Sequence, residues 1–225
     1  MASLTAEVLK HAKSFDGKKA GPNGECFDLA HEALTKAGAK SAQDFGKVTK
    51  DADYIWGTSV ELGKVLGGDI LQFRNYKCDH SIEDEITITF GKNDSFTYFL
   101  FDRSPLPFEH PHHTAVAGSP VASGKLTVWD QNIDRGKGKL EKIVRSRELY
   151  IRAQPKKTAK STKRITINRA WGDVAKKSSG SDRSAHAAID QIVKKYNGKI
   201  FNASVVTTTE VKVSGQIKAY RAVKK

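Results

Sequence analysis

The sequence predicts an α+β fold, with N-terminal helices packed on an antiparallel sheet and a small basic α+β module at the C-terminal end. Three observations lead there. Apolar residues recur at helical spacing between residues 3 and 37. Runs of β-forming residues, separated by turn formers, fill most of residues 70–152. Charge is split: residues 1–153 hold 21 basic and 21 acidic side chains, whereas residues 154–225 hold 17 and 4, so the net +13 lies in the last third of the 225 residues. This reads as a neutral body with a cationic appendage, and it excludes a uniformly basic chain.

The predicted divisions are a body over 1–153, a basic linker over 154–164 and a basic module over 165–225. No apolar run approaches the ~20 residues that span a bilayer. The start, Met1-Ala2-Ser3-Leu4-Thr5-Ala6-Glu7, lacks the basic end and apolar core of a signal peptide. The expectation is cytosolic synthesis and a cytoplasmic protein, with any export by a non-classical route. The two cysteines, Cys26 and Cys78, are read as separate free thiols, because a chain of this length needs no disulfide staple. His110-Pro111-His112-His113 is His-rich but lacks partner ligands at metal spacing, so neither a metal nor a cofactor is expected.

Residues 3–14 predict a short helix, with Leu4, Val8 and Leu9 apolar and Ser3 a cap. The loop 16–24 is dense in Gly, Pro and Asn. A helix from Glu25 to Ala37 follows, with Cys26, Leu29, Ala30, Ala33, Leu34 and Ala37 on one face and Gly38 as its stop. Residues 53–66 read as loop and short helix. Gly67-Gly68-Asp69 turns into a first core strand, Ile70–Phe73. Glu85–Phe90 and Phe96–Phe101 form a hairpin around the loop Gly91–Asp94, ended by Pro105 and Pro107. Thr114–Ala117, Lys125–Asp130 and Glu148–Arg152 complete the body's strands. Alternation places Leu126, Val128, Asp130 and Asn132 on one face and Thr127, Trp129 and Gln131 on the other. Residues 154–164, rich in Lys and Thr, have a linker's composition. Beyond them a helix is expected over Ser184–Tyr196, and strands over Lys199–Val206 and Val211–Val223.

The chemistry centres on Cys26. A thiol attacks as thiolate, and a helix N-terminus favours that anion through its unpaired N–H groups and partial positive charge. An imidazole must take the thiol proton, and a third polar group must orient the imidazole. His113, at the mouth of a strand, is the candidate base. Asp130 or Asn132, on the neighbouring strand, is the candidate orienter. The Cys26 N–H and the Asn23 side chain are the candidate oxyanion donors.

Four stretches in this order, Gly24-Glu25-Cys26-Phe27-Asp28-Leu29, Gly68-Asp69-Ile70-Leu71-Gln72-Phe73, His113-Thr114-Ala115-Val116 and Val128-Trp129-Asp130-Gln131-Asn132, resemble the NlpC/P60 and CHAP group of papain-like cysteine peptidases and amidases. The resemblance covers about residues 15–152. It implies a papain-like fold and a hydrolase in which Cys26 is the nucleophile, His113 the base, and Asp130 with Asn132 its orienters. It further implies amide or peptide cleavage, with peptidoglycan-like peptides as the substrate class. Two features depart from the pattern: the stretch between Phe73 and His113 is longer than usual, and the expected signal peptide is lacking. Tyr54-Ile-Trp-Gly57, Gly68–Arg74 and His112–Val116 also resemble the papain-fold domain of fungal actin-patch adaptor proteins. That resemblance implies an intracellular binding or adaptor module with weak or no hydrolysis, the alternative reading.

Other residues receive plainer readings. Cys78, in a polar stretch, is expected to be a surface thiol. Asp69 is expected to cap its own turn. Trp56 and Trp129 are expected in the core or along a groove wall. The basic module suits either solubility or contact with a polyanion such as nucleic acid, but its few aromatics argue against base stacking. The sequence assigns no oligomeric state.

Overall fold

The computed structural model describes residues 2–49, 52–90, 94–104, 110–134 and 139–225. Its helices are α1 (Leu4–Ser14), α2 (Cys26–Lys36), α3 (Arg169–Ser178) and α4 (Arg183–Tyr196). Its strands are β1 (Thr58–Val60), β2 (Ile70–Thr89), β3 (Ser95–Ser104), β4 (His110–Ala117), β5 (Lys125–Asp130), β6 (Ile133–Asp134), β7 (Leu140–Glu141), β8 (Arg145–Tyr150), β9 (Gln154–Thr166) and β10 (Ile200–Arg221). The expected α+β class is therefore observed, and the registered strand pairs are all antiparallel. No helix among the described residues is long and apolar enough to cross a membrane.

The chain forms two units, and the boundaries differ from the expected ones. The first unit comprises Met1–Cys78, Leu106–Gln154 and Lys212–Lys225; the second comprises Asp79–Pro105 and Pro155–Val211. The long strands β2 and β10 each give one end to either unit. Residues 154–164 are not a linker: they lie in β9, which pairs with β10. Nearly every β9 side chain is exposed, so its Lys and Thr record a solvated strand rather than a loose tether. The charge is redistributed accordingly. The first unit carries 24 basic and 15 acidic residues, a net +9, and the second 14 and 10, a net +4. The cationic appendage does not exist as a separate body. The acidic β2–β3 segment joins the second unit, and the wholly basic tail returns to the first.

In the first unit the strand order is β1-β10-β2-β4-β5-β8. Helices α1 and α2 bury Val8, Ala12, Leu29, Ala33 and Leu34 against Ile70, Val116 and Trp56. These positions repeat every three or four residues, which gives each helix one apolar face. Ser3 caps α1 by accepting from the Ala6 N–H at 3.2 Å. Gly68 has φ +96°, and a Cβ there would run into the Thr5 carbonyl, so the turn before β2 needs glycine. Asp69 is fully buried and accepts from the Leu66 N–H at 2.8 Å, the capping role expected of it. It also takes Arg221 at 2.9 and 3.1 Å. The C-terminal segment is thus part of the first unit: β10 pairs Arg221 with Thr58, and the Lys225 N–H reaches the Gly38 carbonyl at 3.0 Å.

In the second unit, Ile86, Ile88, Tyr98, Ala203 and Val205 pack against Trp171 and Ala175 of α3 and Ile189 of α4. The expected strands Ile70–Phe73 and Glu85–Phe90 belong to one continuous strand, because the polar stretch between them is also paired. Tyr76 lies opposite His110, and His80 opposite Ser104. For the same reason Cys78 is buried at 6% exposure and not a surface thiol. The hairpin residues 91–93 and the stops Pro105 and Pro107 fall outside the described residues.

Candidate active site

Cys26 is the first residue of α2, where a backbone N–H has no acceptor within the helix. The preceding loop is tied down from both sides. The Asp28 carboxylate accepts from the Glu25 N–H at 3.0 Å and the Asn23 N–H at 3.2 Å. Gln131, fully buried, donates to the carbonyls of Ala20 at 3.0 Å and Glu25 at 2.6 Å and accepts from the Ala20 N–H at 3.0 Å. The sulfur's position is therefore set by a side chain more than a hundred residues away. Gln131 was the neighbour of the expected orienters, yet nothing in its spacing marked this role.

His113 enters from β4 and Asp130 from the end of β5; both are buried, at 1% and 0% exposure. His113 Nε2 lies 3.3 Å from Asp130 Oδ2. The His113 ring and the Thr114 backbone lie near enough to the thiol to favour its anion. Burial alone would raise the Cys26 pKa, but the hydrogen bond and charge of His113, with the Thr114 backbone, outweigh it and hold the thiol below its ordinary 9.0. Burial would likewise lower His113, yet the hydrogen bonds to Asp130 and Cys26 lift it to about 8. Each partner therefore favours the other's charged form.

Asn132 does not join this relay. It has φ +61°, so the strand alternation that carries Leu126, Val128 and Asp130 inward ends at Asp130. Its amide instead donates to the Glu25 carboxylate, which also binds Lys142 at 2.8 Å. Asn132 and Glu25 thus brace the entry to α2. Asn23 is exposed, and together with Cys26 it lines a cleft of about 600 Å³ that also meets Phe27, Tyr54 and His112.

Gln72 supports the histidine strand from behind. At 2% exposure, its Oε1 accepts from Trp56 Nε1 at 3.0 Å and from Thr114 Oγ1 at 2.9 Å, and its Nε2 donates to the His113 carbonyl at 3.0 Å. An indole N–H can only donate and a carbonyl can only accept, so this amide has one orientation. Its remaining proton points at His112 Nε2, 3.0 Å away, which must be unprotonated there. His112 stacks edge-on to Tyr54 at 4.9 Å, on the wall of the cleft. The two adjacent histidines therefore have distinct environments: His113 in the relay and His112 on the rim.

Arg147, from β8, was not expected. It places Nε at 2.8 Å and a terminal nitrogen at 2.6 Å from Asp130 Oδ2. Only strand register reveals it, because Val128 pairs with Arg147 two positions before Asp130. Among the described residues no three His, Cys, Asp or Glu side chains converge as metal ligands. Compared with protein-family models, curated proteins and solved structures, the chain shows no significant match.

Proposed function

We propose that the protein is a cysteine hydrolase of the papain-like NlpC/P60–CHAP type, cleaving amide or peptide bonds. The observation that carries this reading is the set in which Cys26, at a helix N-terminus, has its thiol ionisation favoured by buried His113, which in turn bonds to buried Asp130. In the reading, the Cys26 thiolate attacks the substrate carbonyl carbon. The carbonyl π pair moves onto oxygen, where the Cys26 N–H and the Asn23 side chain hold it. Collapse breaks the C–N bond, and protonated His113 delivers its proton to the leaving amine. A thioester remains. Neutral His113 then takes a proton from water, whose oxygen attacks the thioester and releases the acid and the thiol.

Asp130 keeps the imidazole oriented, and Asn132 keeps the helix entry in place. The cleft lined by Phe27, Tyr54 and His112 offers room for a peptide-sized group. Peptidoglycan stem peptides are the substrate class to try first.

The test is Cys26 alkylation by iodoacetamide across pH, paired with hydrolysis of purified peptidoglycan. Labelling of Cys26 well below pH 8 that disappears in His113→Ala supports the reading. Cys26→Ala should abolish hydrolysis, and His113→Ala should slow it by roughly 10²–10⁴-fold. Equal labelling of Cys26 in the parent chain and in His113→Ala would sink the proposal.

A further inference from the structure

We propose that Arg147 is a positioning residue that limits how firmly Asp130 holds His113, and so sets the upper pH boundary of the reactive Cys26–His113 pair. This inference rests on the hydrolase reading above. Its basis is competition for one oxygen. Asp130 Oδ2 receives Arg147 at 2.8 and 2.6 Å and His113 Nε2 at 3.3 Å. The guanidinium contacts are short and charge-assisted, whereas the imidazole contact is long for an ionic hydrogen bond. Asp130 is fully buried and the Arg147 side chain only 11% exposed, so water does little to screen the three groups from one another.

The register explains why Arg147 holds this place. Arg145 lies directly opposite Asp130 but reaches outward to Asp16 at 3.2 Å. Arg147, one diagonal step away on the same face, turns in to the carboxylate. Other described groups lie near the histidine or its partners. Cys26 opens α2, and Glu25, which caps that helix, acts on the Cys26 thiol. From β2 comes Tyr76, whose hydroxyl donates to the Tyr150 carbonyl and whose ionisation is pushed above the ordinary phenol range, first by burial, so that it stays neutral. His112 lies on the rim, held by Gln72. Arg147 is a cation that shares Asp130 with His113.

The consequence has a definite sign. A cation bound to Asp130 lowers the carboxylate's pull on the imidazole proton. Removing that charge while keeping a donor must make His113 more basic, provided Asp130 remains ionised. The same change frees Asp130 to shift, which lowers the maximal rate. A purely structural role would weaken the protein and lower the rate at every pH without moving the upper limb upward.

The experiment uses the full chain and follows the pH dependence of Cys26 alkylation, with His113 titrated in parallel by NMR. In Arg147→Gln the upper limb and the His113 midpoint should both rise by about one pH unit or more. Arg147→Lys, which keeps the charge, should restore both to near the parent values. If Arg147→Gln does not fold, the comparison moves to an Asp130→Asn background. There Arg147→Met should leave the His113 midpoint unchanged, because the route through Asp130 is gone. A midpoint that is unmoved or lowered in Arg147→Gln, or one that still responds to Arg147 in the Asp130→Asn background, overturns the proposal. A parent chain with no His113-dependent step in alkylation overturns the hydrolase reading itself. An unmoved step in Arg147→Gln overturns the Arg147 role alone.

Discussion

Burial would strip His113 of its charge, yet its partners reverse that. Their hydrogen bonds lift it from the ordinary 6.5 to about 8, which corresponds to roughly 2 kcal/mol of preference for the imidazolium in the folded state. A folded value above the unfolded one stabilises fully below about pH 6.5, and this contribution is lost as pH rises through about 8. Cys26 has the opposite sign. Its lowered value stabilises above the thiol's ordinary 9.0, and that contribution fades as pH falls through the lowered value. The urea midpoint should therefore show a decline between pH 6.5 and 8 that His113→Gln removes. A decline of equal size in that variant would assign it elsewhere. Asp130→Asn should destabilise by about 3–5 kcal/mol, because it leaves Arg147 charged and nearly buried without a carboxylate. Thermal melts of Asp130→Asn and of the double variant Asp130→Asn/Arg147→Met separate the two contributions: the double variant should recover much of the loss. Much of the site was legible in the sequence: Cys26 was named from its helix position, His113 was chosen by the family resemblance, and Asp130 was one of two candidate orienters. Asn132 was misplaced, because alternation cannot foresee a left-handed residue at a strand end.

At the scale of elements, the histidine strand depends on Gln72. Its amide joins β2 to β4 through the His113 carbonyl and Thr114, and reaches Trp56 in the segment before β1. Gln72→Met preserves volume but takes from the buried Trp56 indole N–H and the buried Thr114 hydroxyl the acceptor that Gln72 gives them. The expected loss is about 2–4 kcal/mol, read from denaturant unfolding, with Cys26 alkylation slowed at neutral pH. An unchanged midpoint would mean that the network is replaced by water or by a neighbour. The helices α1, α2 and α4 and the strand β5 stand close to where periodicity put them, whereas β8 begins three residues before the expected Glu148, which left Arg147 outside the expected strand. The long strands did not, because β2 and β9 are held by ladders to distant partners and their middle stretches are polar. A sheet's hydrogen bonds come from the backbone, so a solvated strand leaves little trace in composition.

For the whole molecule, the order of residues along the chain misleads about which of them fold together. The first unit needs the last fourteen residues, Lys212–Lys225, and the second needs Asp79–Pro105. Removal of residues 212–225 should therefore disable the site rather than trim a tail. Asp69 would stay buried without Arg221, and β1 would lose its partner strand. The expected result is loss of the cooperative unfolding of the first unit, with Cys26 alkylating as an ordinary thiol. A truncated chain that retained His113-dependent labelling would contradict this. The net charge of +13 changes meaning on the same grounds. It is shared as +9 and +4, so polyanion contact is no longer the attribute of an appendage.

The sequence by itself determined the α+β class, the helix faces, the capping turn at Asp69 and the place of Cys26 at a helix start. These follow from local periodicity, turn chemistry and side-chain type, which need no knowledge of distant partners. Only the tertiary structure decided that Asp130 rather than Asn132 meets His113. It also placed Arg147 on the same oxygen, made Gln131 and Gln72 the anchors of the two reacting strands of chain, and returned the basic C-terminal segment to the first unit. Those outcomes depend on register and on pairing between residues far apart in the chain, where a shift of one position would exchange every inward side chain for an outward one.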